Sequence, residues 1–304
     1  MKRALFIVGP TAVGKTDLAF FLSSKISSIL ISADSVQVYR GADIISGKDK
    51  AVHTELIDVS SPYEQFSVRD FVMQVQKLVN QAKTDNKIPI IVGGTGFYLD
   101  ALFGKYQTVS IPPNDKLREE LSNNSIEELQ EKLTKLNTDR FERMNNSDRN
   151  NSRRLVRAIE IAQEKSVIDL PAGEAGHAPS VFSDDGVLIV GLKTSMDKLR
   201  EKIEERVDKR IEMGALDEAK SLFANYERLS RQLKDANGYR EIFDYLLGNM
   251  DFDEAKQRWI NADYQHAKNQ MTWFARNPNI KWFDPNKNGI YEEILKLVKS
   301  EISP

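Results

Sequence analysis

The chain is 304 residues long, 40% hydrophobic and 29% charged, with a formal net charge of −2 at pH 7 and no cysteine. That excludes a disulfide framework, a thiolate nucleophile and Cys-ligated zinc, and overall charge does nothing to draw nucleic acid to the protein. No apolar run approaches the roughly 20 residues of a membrane span, and a strand beginning within three residues of Met1 leaves no room for a signal peptide. A cytoplasmic protein that engages no membrane is expected.

The first predicted element is the strand Ala4–Val8. It runs into Gly9-Pro10-Thr11-Ala12-Val13-Gly14-Lys15-Thr16, and a helix over 15–27 follows, with Leu18, Phe21, Leu22 and Ile26 at helical spacing. Strand, G-x-x-x-x-G-K-T and helix together form a phosphate-binding loop. Its glycines let successive N–H groups point at one anion, and the helix N-terminus adds partial positive charge. Lys15 supplies a full charge, and the Thr16 hydroxyl can hold Mg2+. Gly9, Thr11, Ala12, Val13, Gly14, Lys15 and Thr16 are therefore the candidate diphosphate-binding residues.

The next strand, Ile29–Ala33, ends in Asp34. The other strand candidates end without a carboxylate: Val187–Leu192 has none, and Ile88–Val92 runs into Gly93-Gly94-Thr95-Gly96. Asp34 thus emerges beside the phosphate loop at the carboxyl edge of the sheet, where ligands of open α/β sheets sit. An N-cap or turn Asp is the competing reading; the neighbouring loop favours function. Ser35, Val36 and Gln37 follow, and the Gln37 amide, with one donor side and one acceptor side, can read an adenine edge. A helix is predicted around 68–82. At Gly93-Gly94-Thr95 the glycines allow close backbone approach to a ligand.

From Pro112 to about Glu164 the pattern is helical and highly charged, punctuated by Asn123-Asn124, Asn145-Asn146 and Asn150-Asn151. Arg153 and Arg157 lie four apart on one helical face with Arg154 beside them, and Arg143 and Arg149 join the cluster. Such a run is either a solvated face or a phosphate grip whose affinity falls steeply with salt. Residues 165–186, with Pro171, Gly173, Gly176 and Pro179, read as a loop. Val187–Leu192 returns as a core strand, and Ser195 caps a helix carrying Leu199, Ile203, Val207 and Ile211 that Gly214 ends. Residues 216–275 continue as helices, with Trp259, Trp273 and Phe274 in the core. The three histidines, His53, His177 and His266, show no metal-ligand spacing.

The expected architecture is α/β: a P-loop NTPase-like parallel sheet core over 1–110 and 187–304, helical in its C-terminal part, with a mostly helical insertion at 111–186. A phosphate loop alone fits a small-molecule kinase equally well. A GTPase-like module fits less well, since the chain has no guanine-reading N-K-x-D.

Three blocks carry a more specific resemblance. Gly9–Thr16 as GPTAVGKT, Ser32–Arg40 as SADSVQVYR and Ile90–Leu99 as IIVGGTGFYL resemble the tRNA dimethylallyltransferase family. Leu56-Ile57-Asp58, Phe66–Phe71, Arg154–Glu160, Glu205–Arg210, Gly238–Glu241 and Gln270–Phe274 resemble that family's later segments in order. The chain departs from the pattern at three places. Gly41–Asp49 keeps part of G-x-D-I-G-T-x-K-P. Asp148–Asn151 replaces H-P-x-D, and Asp263–Gln270 is two arginines short of T-R-Q-x-A-K-R-Q.

The resemblance implies transfer of a dimethylallyl group from dimethylallyl diphosphate to N6 of the adenosine 3′-adjacent to the anticodon. It implies Asp34 as base, Thr11 and Arg206 at the leaving diphosphate, and Mg2+ on Thr16. Asp34, Ser35, Val36, Gln37, Thr95, Arg153, Arg154 and Arg157 would touch tRNA. The implied partners are the anticodon stem-loop of tRNA and dimethylallyl diphosphate, with the chain acting as a monomer. Related enzymes that prenylate free adenine nucleotide are the alternative; the long helical insertion favours the larger substrate.

Overall fold

Five strands, β1 (Ala4–Val8), β2 (Ser28–Ser32), β3 (Ile88–Gly93), β4 (Val187–Leu192) and β5 (Ile280–Phe283), pair in the order β2-β3-β1-β4-β5. Every neighbouring pair is parallel. The structure, a computed structural model, describes residues 2–105, 111, 113–164 and 180–302. β1 and β4 are apolar and buried along their whole length, as strands covered on both faces must be. Crossovers run through α1 (Lys15–Ser23) and α2 (Val68–Thr84). The register sets the site. Val8 lies opposite Gly93, and Ser32 opposite Val92, so the segments leaving β1, β2 and β3 begin side by side at one edge.

The chain forms two compact units, Met1–Phe103 with Val181–Pro304, and Gly104–Ser180. Val181 and Phe182, read from sequence as part of the insertion, fall in the first unit for a simple reason. The Val181 N–H donates to the Leu102 carbonyl, and the Phe182 ring meets Phe6 edge-on at 5.2 Å. The first unit also carries α3 (Gly96–Leu102), α9 (Met196–Glu212), α10 (Ala215–Phe223), α11 (Arg231–Lys234), α12 (Tyr239–Leu246), α13 (Phe252–Phe274) and α14 (Ile290–Glu301). No helix among the described residues is long and apolar enough to cross a membrane.

The second unit holds α4 (Asp115–Leu121), α5 (Ile126–Leu136), α6 (Thr138–Arg143), α7 (Asn146–Arg149) and α8 (Ser152–Gln163) around Leu117, Leu129, Leu133, Leu155 and Ile159. Its asparagines act as N-caps: Asn114, Asn137, Asn145 and Asn151 each accept from a backbone N–H in the first turn. The loop expected around Pro171–Pro179, and His177 within it, lies outside the described residues.

Several elements differ from expectation. α1 stops at Ser23 rather than 27, because the Ser23 and Ser24 hydroxyls donate to the Phe20 and Phe21 carbonyls and compete with the helix ladder. β5 lies within a stretch for which no strand was expected; it is four residues long at the sheet edge, with Lys281 exposed in its middle. Trp259 and Phe274 are buried, whereas Trp273 is only half-buried and donates its indole N–H to Asp100 Oδ2 at 3.0 Å.

Candidate functional site

At the carboxyl edge of the sheet, within the first unit, lies a cavity of about 870 Å³. The phosphate loop forms its floor. Thr11, Ala12, Val13, Gly14, Lys15 and Thr16 all line it, and Gly9 lies at the loop's entry just after β1. Ala12 sits in the left-handed region at φ 63°, a conformation that curls the loop and that L residues rarely adopt. Lys15 Nζ donates back to the Pro10 carbonyl at 2.7 Å. Desolvation, with a further push from the Arg206 guanidinium, lowers the Lys15 pKa from 10.5 to about 7, against the opposing pull of Asp34. A cation held in this state is poised to gain from an arriving anion.

The loop is locked to its neighbour by Gln270 on α13. Gln270 Oε1 accepts from the Thr11 N–H at 2.8 Å, and Nε2 donates to the Gly94 carbonyl at 3.0 Å. The approach is tight enough that a Cβ on Gly94 would lie 2.1 Å from Nε2. One amide thus fixes the phosphate loop against the Gly93-Gly94-Thr95 turn.

Asp34 leaves β2 and faces the same cavity. Its Oδ1 accepts from the Val36 N–H at 2.8 Å and the Gln37 N–H at 3.3 Å, an Asx turn that fixes the carboxylate's direction. Both readings of this residue therefore hold in part: the carboxylate builds its own turn and also presents itself to the cavity. Ser35, Val36, Gln37 and Thr95 line the cavity too. The Gln37 amide is committed within the protein: Oε1 accepts from Ser32 Oγ at 2.8 Å, and Nε2 donates to the Ser46 and Gly47 carbonyls at 3.4 and 3.3 Å. In this arrangement both Nε2 hydrogens are spent within the protein, while Oε1 keeps one lone pair for a donor.

α9 brings a cationic face. Lys202, Arg206, Lys209 and Arg210 recur at three- and four-residue spacing and all line the cavity. Opposite them α13 presents Asp263, His266 and Gln270 at the same period. Arg206 Nη2 donates to Asp263 Oδ2 at 2.8 Å, and Asn237 Nδ2 donates to Asp263 Oδ1 at 3.1 Å. Arg206 Nε is buried with no hydrogen-bond partner. Desolvation lowers the His266 pKa, with Asp263 and Asp34 opposing and Lys15 and Arg206 assisting.

A family model for IPP transferase matches residues 37–277, and one for isopentenyl transferase matches residues 2–64. The chain belongs to the IPP transferase family. The tRNA dimethylallyltransferases of Natranaerobius thermophilus and Finegoldia magna are 34% and 35% identical to it, over 99% and 97% of this chain and 92% and 95% of theirs. The crystal structure of the full-length tRNA isopentenylpyrophosphate transferase of Bacillus halodurans is 32% identical. It superposes with a TM-score of 0.71 over 99% of this chain and 97% of that one. A eukaryotic dimethylallyltransferase acting on tRNA matches at 22% identity with a TM-score of 0.78, over 98% of this chain and 78% of that one; this is a likeness of fold.

In this IPP transferase the cavity lining does not include the candidate arginines of α8. Arg157 Nη1 donates to Glu160 Oε2 at 2.8 Å and Nη2 to the Ile111 carbonyl at 2.8 Å. Arg154 pairs with Asp148. Arg153 is exposed. All three lie in the second unit. Sequence reading gave no role to Gln270, Asp263, Asn237 or Arg210. The signal available was polar residues at helical period on faces otherwise apolar, as along 263, 266 and 270.

The donor set of the cavity bears on magnesium. Among the described residues no group of three or more His, Cys, Asp and Glu could hold a metal by protein ligands alone. Mg2+ is commonly held through one or two protein oxygens, substrate phosphates and water. The exposed Thr16 on the cavity floor, with Asp34 in the same cavity, fits that mode.

Proposed function

We propose that this protein transfers a dimethylallyl group from dimethylallyl diphosphate to N6 of the adenosine 3′-adjacent to the anticodon in tRNA, releasing diphosphate. The observation that carries this reading is that a phosphate loop and the Asp34 carboxylate face one cavity, in a member of the IPP transferase family.

The chemistry follows from that pairing. The bond between the allylic carbon and the diphosphate oxygen breaks, and negative charge builds on that oxygen. Preorganised donors meet it: the N–H groups of the loop, Lys15, and Arg206 with its unpartnered Nε–H. Thr11, early in the loop, lines the same cavity and would join them. Thr16 Oγ1 would hold a magnesium ion, whose charge would further stabilise the leaving diphosphate. The exocyclic amine attacks the allylic carbon and loses a proton. Its lone pair is delocalised into the adenine ring, so a base that accepts the proton matters. Asp34 fills that role, held in place by the Val36 and Gln37 N–H groups on one oxygen. The target base must leave its stack to enter the cavity.

The test is to incubate the protein with labelled dimethylallyl diphosphate, magnesium, and either bulk tRNA or AMP. Label in tRNA is the expected result. Label in AMP alone would identify a free-nucleotide prenyltransferase, and ATP-dependent phosphoryl transfer without prenylation would identify a kinase.

A further inference from the structure

Arg210, like Lys202 and Lys209, is a cavity cation that the proposed reaction does not use. It lies one helical turn beyond Arg206 on α9. Among the described residues no side chain or backbone group hydrogen-bonds or ion-pairs its guanidinium, although it lines a cavity that also holds Asp34 and Asp263. Burial and the nearby Arg206 charge press its pKa down to about 9, with Asp263 and Asp34 pulling the other way, so it stays charged at neutral pH. Room for it is made by one residue. A Cβ on Gly47 would lie 1.8 Å from Arg210 Nη2. Gly47 is itself held by its carbonyl to Gln37 and by its N–H to the Ile44 carbonyl. The loop around it is fixed by Glu218, whose carboxylate accepts from the Asp43, Ile44 and Ile45 N–H groups at 2.7, 2.6 and 3.0 Å. The guanidinium therefore occupies a built slot.

The charges around it place this slot. Arg206 and Asp34 each act on both Lys15 and Arg210. Arg210 follows Arg206 by one helical turn, and both line the cavity that the phosphate loop lines. An anion on Arg210 would therefore share one cavity with the phosphate loop and Asp34 while resting on a different residue from the loop's anion.

We propose that Arg210 forms a second anion subsite, which takes a phosphate flanking the acceptor adenosine while the phosphate loop holds the donor's diphosphate. This rests on the proposed transfer to tRNA and adds a residue to it. Arginine suits the task because its fork meets two phosphate oxygens at once. The contact would pull the backbone beside the flipped base down to Gly47 and set N6 against Asp34.

The experiment measures binding of an anticodon stem-loop RNA carrying an uncharged methylphosphonate at the phosphate 5′ or 3′ to the acceptor adenosine. One of the two substitutions is expected to weaken wild-type binding about tenfold or more. Arg210→Met binds the unmodified RNA more weakly and no longer responds to that substitution; Arg210→Lys, charged but without the fork, falls between. Gly47→Ala, which pushes the guanidinium out of its slot, reproduces Arg210→Met. Titration with inorganic diphosphate checks that each variant is folded and separates the two anion sites. The proposal is overturned if Arg210→Met stays as sensitive as wild type to both methylphosphonates, or if wild type responds to neither. It is also overturned if Arg210→Met loses at least as much affinity for diphosphate as for RNA. A wild type that does not bind the unmodified RNA at all overturns the functional reading itself, a distinct result.

Discussion

Arg206 Nη2 and Asp263 Oδ2 are joined across 2.8 Å, tying α9 to α13 at the wall of the cavity. Asp263 is buried, and its other oxygen accepts from Asn237. The carboxylate therefore occupies the face of Arg206 that an anionic ligand would otherwise take. A ligand phosphate and Asp263 compete for one guanidinium. Asp263→Asn keeps the volume and a hydrogen-bonding oxygen but removes the charge. Affinity for inorganic diphosphate is expected to rise about tenfold, the scale of one charge-assisted hydrogen bond. Calorimetric titration of wild type and variant checks this; equal or weaker binding by Asp263→Asn would show that the acid orients Arg206 for the ligand rather than competing with it.

Asp34 is both a turn-former and the proposed base, and two substitutions separate these roles. Asp34→Asn retains an oxygen that can accept from the Val36 and Gln37 N–H groups, so the turn survives while the basicity is lost. Asp34→Ala loses both. Each is expected to slow prenyl transfer by roughly 10²–10⁴, the usual contribution of a placed general base, while binding diphosphate at least as well as wild type. Single-turnover rates with labelled donor, alongside diphosphate titration, make the comparison. If Asp34→Asn kept most of the wild-type rate while Asp34→Ala did not, the residue would be structural and the base lies elsewhere.

The phosphate loop and Asp34 were legible because each is local: eight consecutive residues between a strand and a helix, and an acid at a strand's end. Strand order then did the rest, since parallel β1, β2 and β3 open at one edge. The remaining wall of the cavity was not legible, because it is assembled from residues distant in sequence. Gln270 meets Thr11 from 259 positions away, and Asp263 meets Arg206 from 57. The polar period along 263, 266 and 270 marks a face of α13 but not what it meets; only the packing of α9 against α13 does. β5 escaped notice because four residues with a lysine in the middle carry little periodicity. The two departures at Asp148 and Asp263 share a physical outcome: each places an acid against an arginine, Arg154 and Arg206 respectively.

Lys15 gives the cavity a pH signature. Its pKa is about 7 in the folded, ligand-free protein and 10.5 as an ordinary lysine. Between these values the unfolded chain holds a proton that the folded chain has released, so the stability tied to Lys15 rises with pH across that window. Below pH 7 both states are protonated and the full cost of the buried charge is present. Lys15→Met removes this cost. The variant is therefore expected to melt above wild type at pH 7 and below, with the gap closing toward pH 10. Diphosphate should abolish the closing in wild type by stabilising the charged form. Thermal melts at a series of pH values read it directly; a gap that does not change with pH would mean that Lys15 keeps an ordinary pKa.

Glu160 anchors the second unit and takes Arg157 out of the arginine cluster of α8. Its side chain, 1% exposed, accepts from Arg118 Nε at 2.7 Å, Arg118 Nη2 at 3.2 Å, Arg157 Nη1 at 2.8 Å and the Asn114 N–H at 3.0 Å. Burial pushes its pKa up, but the hydrogen bonds from Arg118, Arg157 and Asn114 outweigh this and hold it below the ordinary 4.5. Glu160→Ala removes the shared acceptor of two partly exposed guanidinium groups and is expected to cost about 1–3 kcal/mol; Glu160→Gln, which keeps an accepting oxygen, costs less. Because the folded pKa is depressed, the stabilisation is present above pH 4.5 and disappears as pH falls through the lower folded value. The deficit of Glu160→Ala should therefore shrink in acid. Hydrogen exchange of the α5 and α8 amides in the full chain isolates this unit from the sheet core. A variant whose protection there matches wild type at neutral pH would release Arg157 from its structural role and return it to the candidates for phosphate contact.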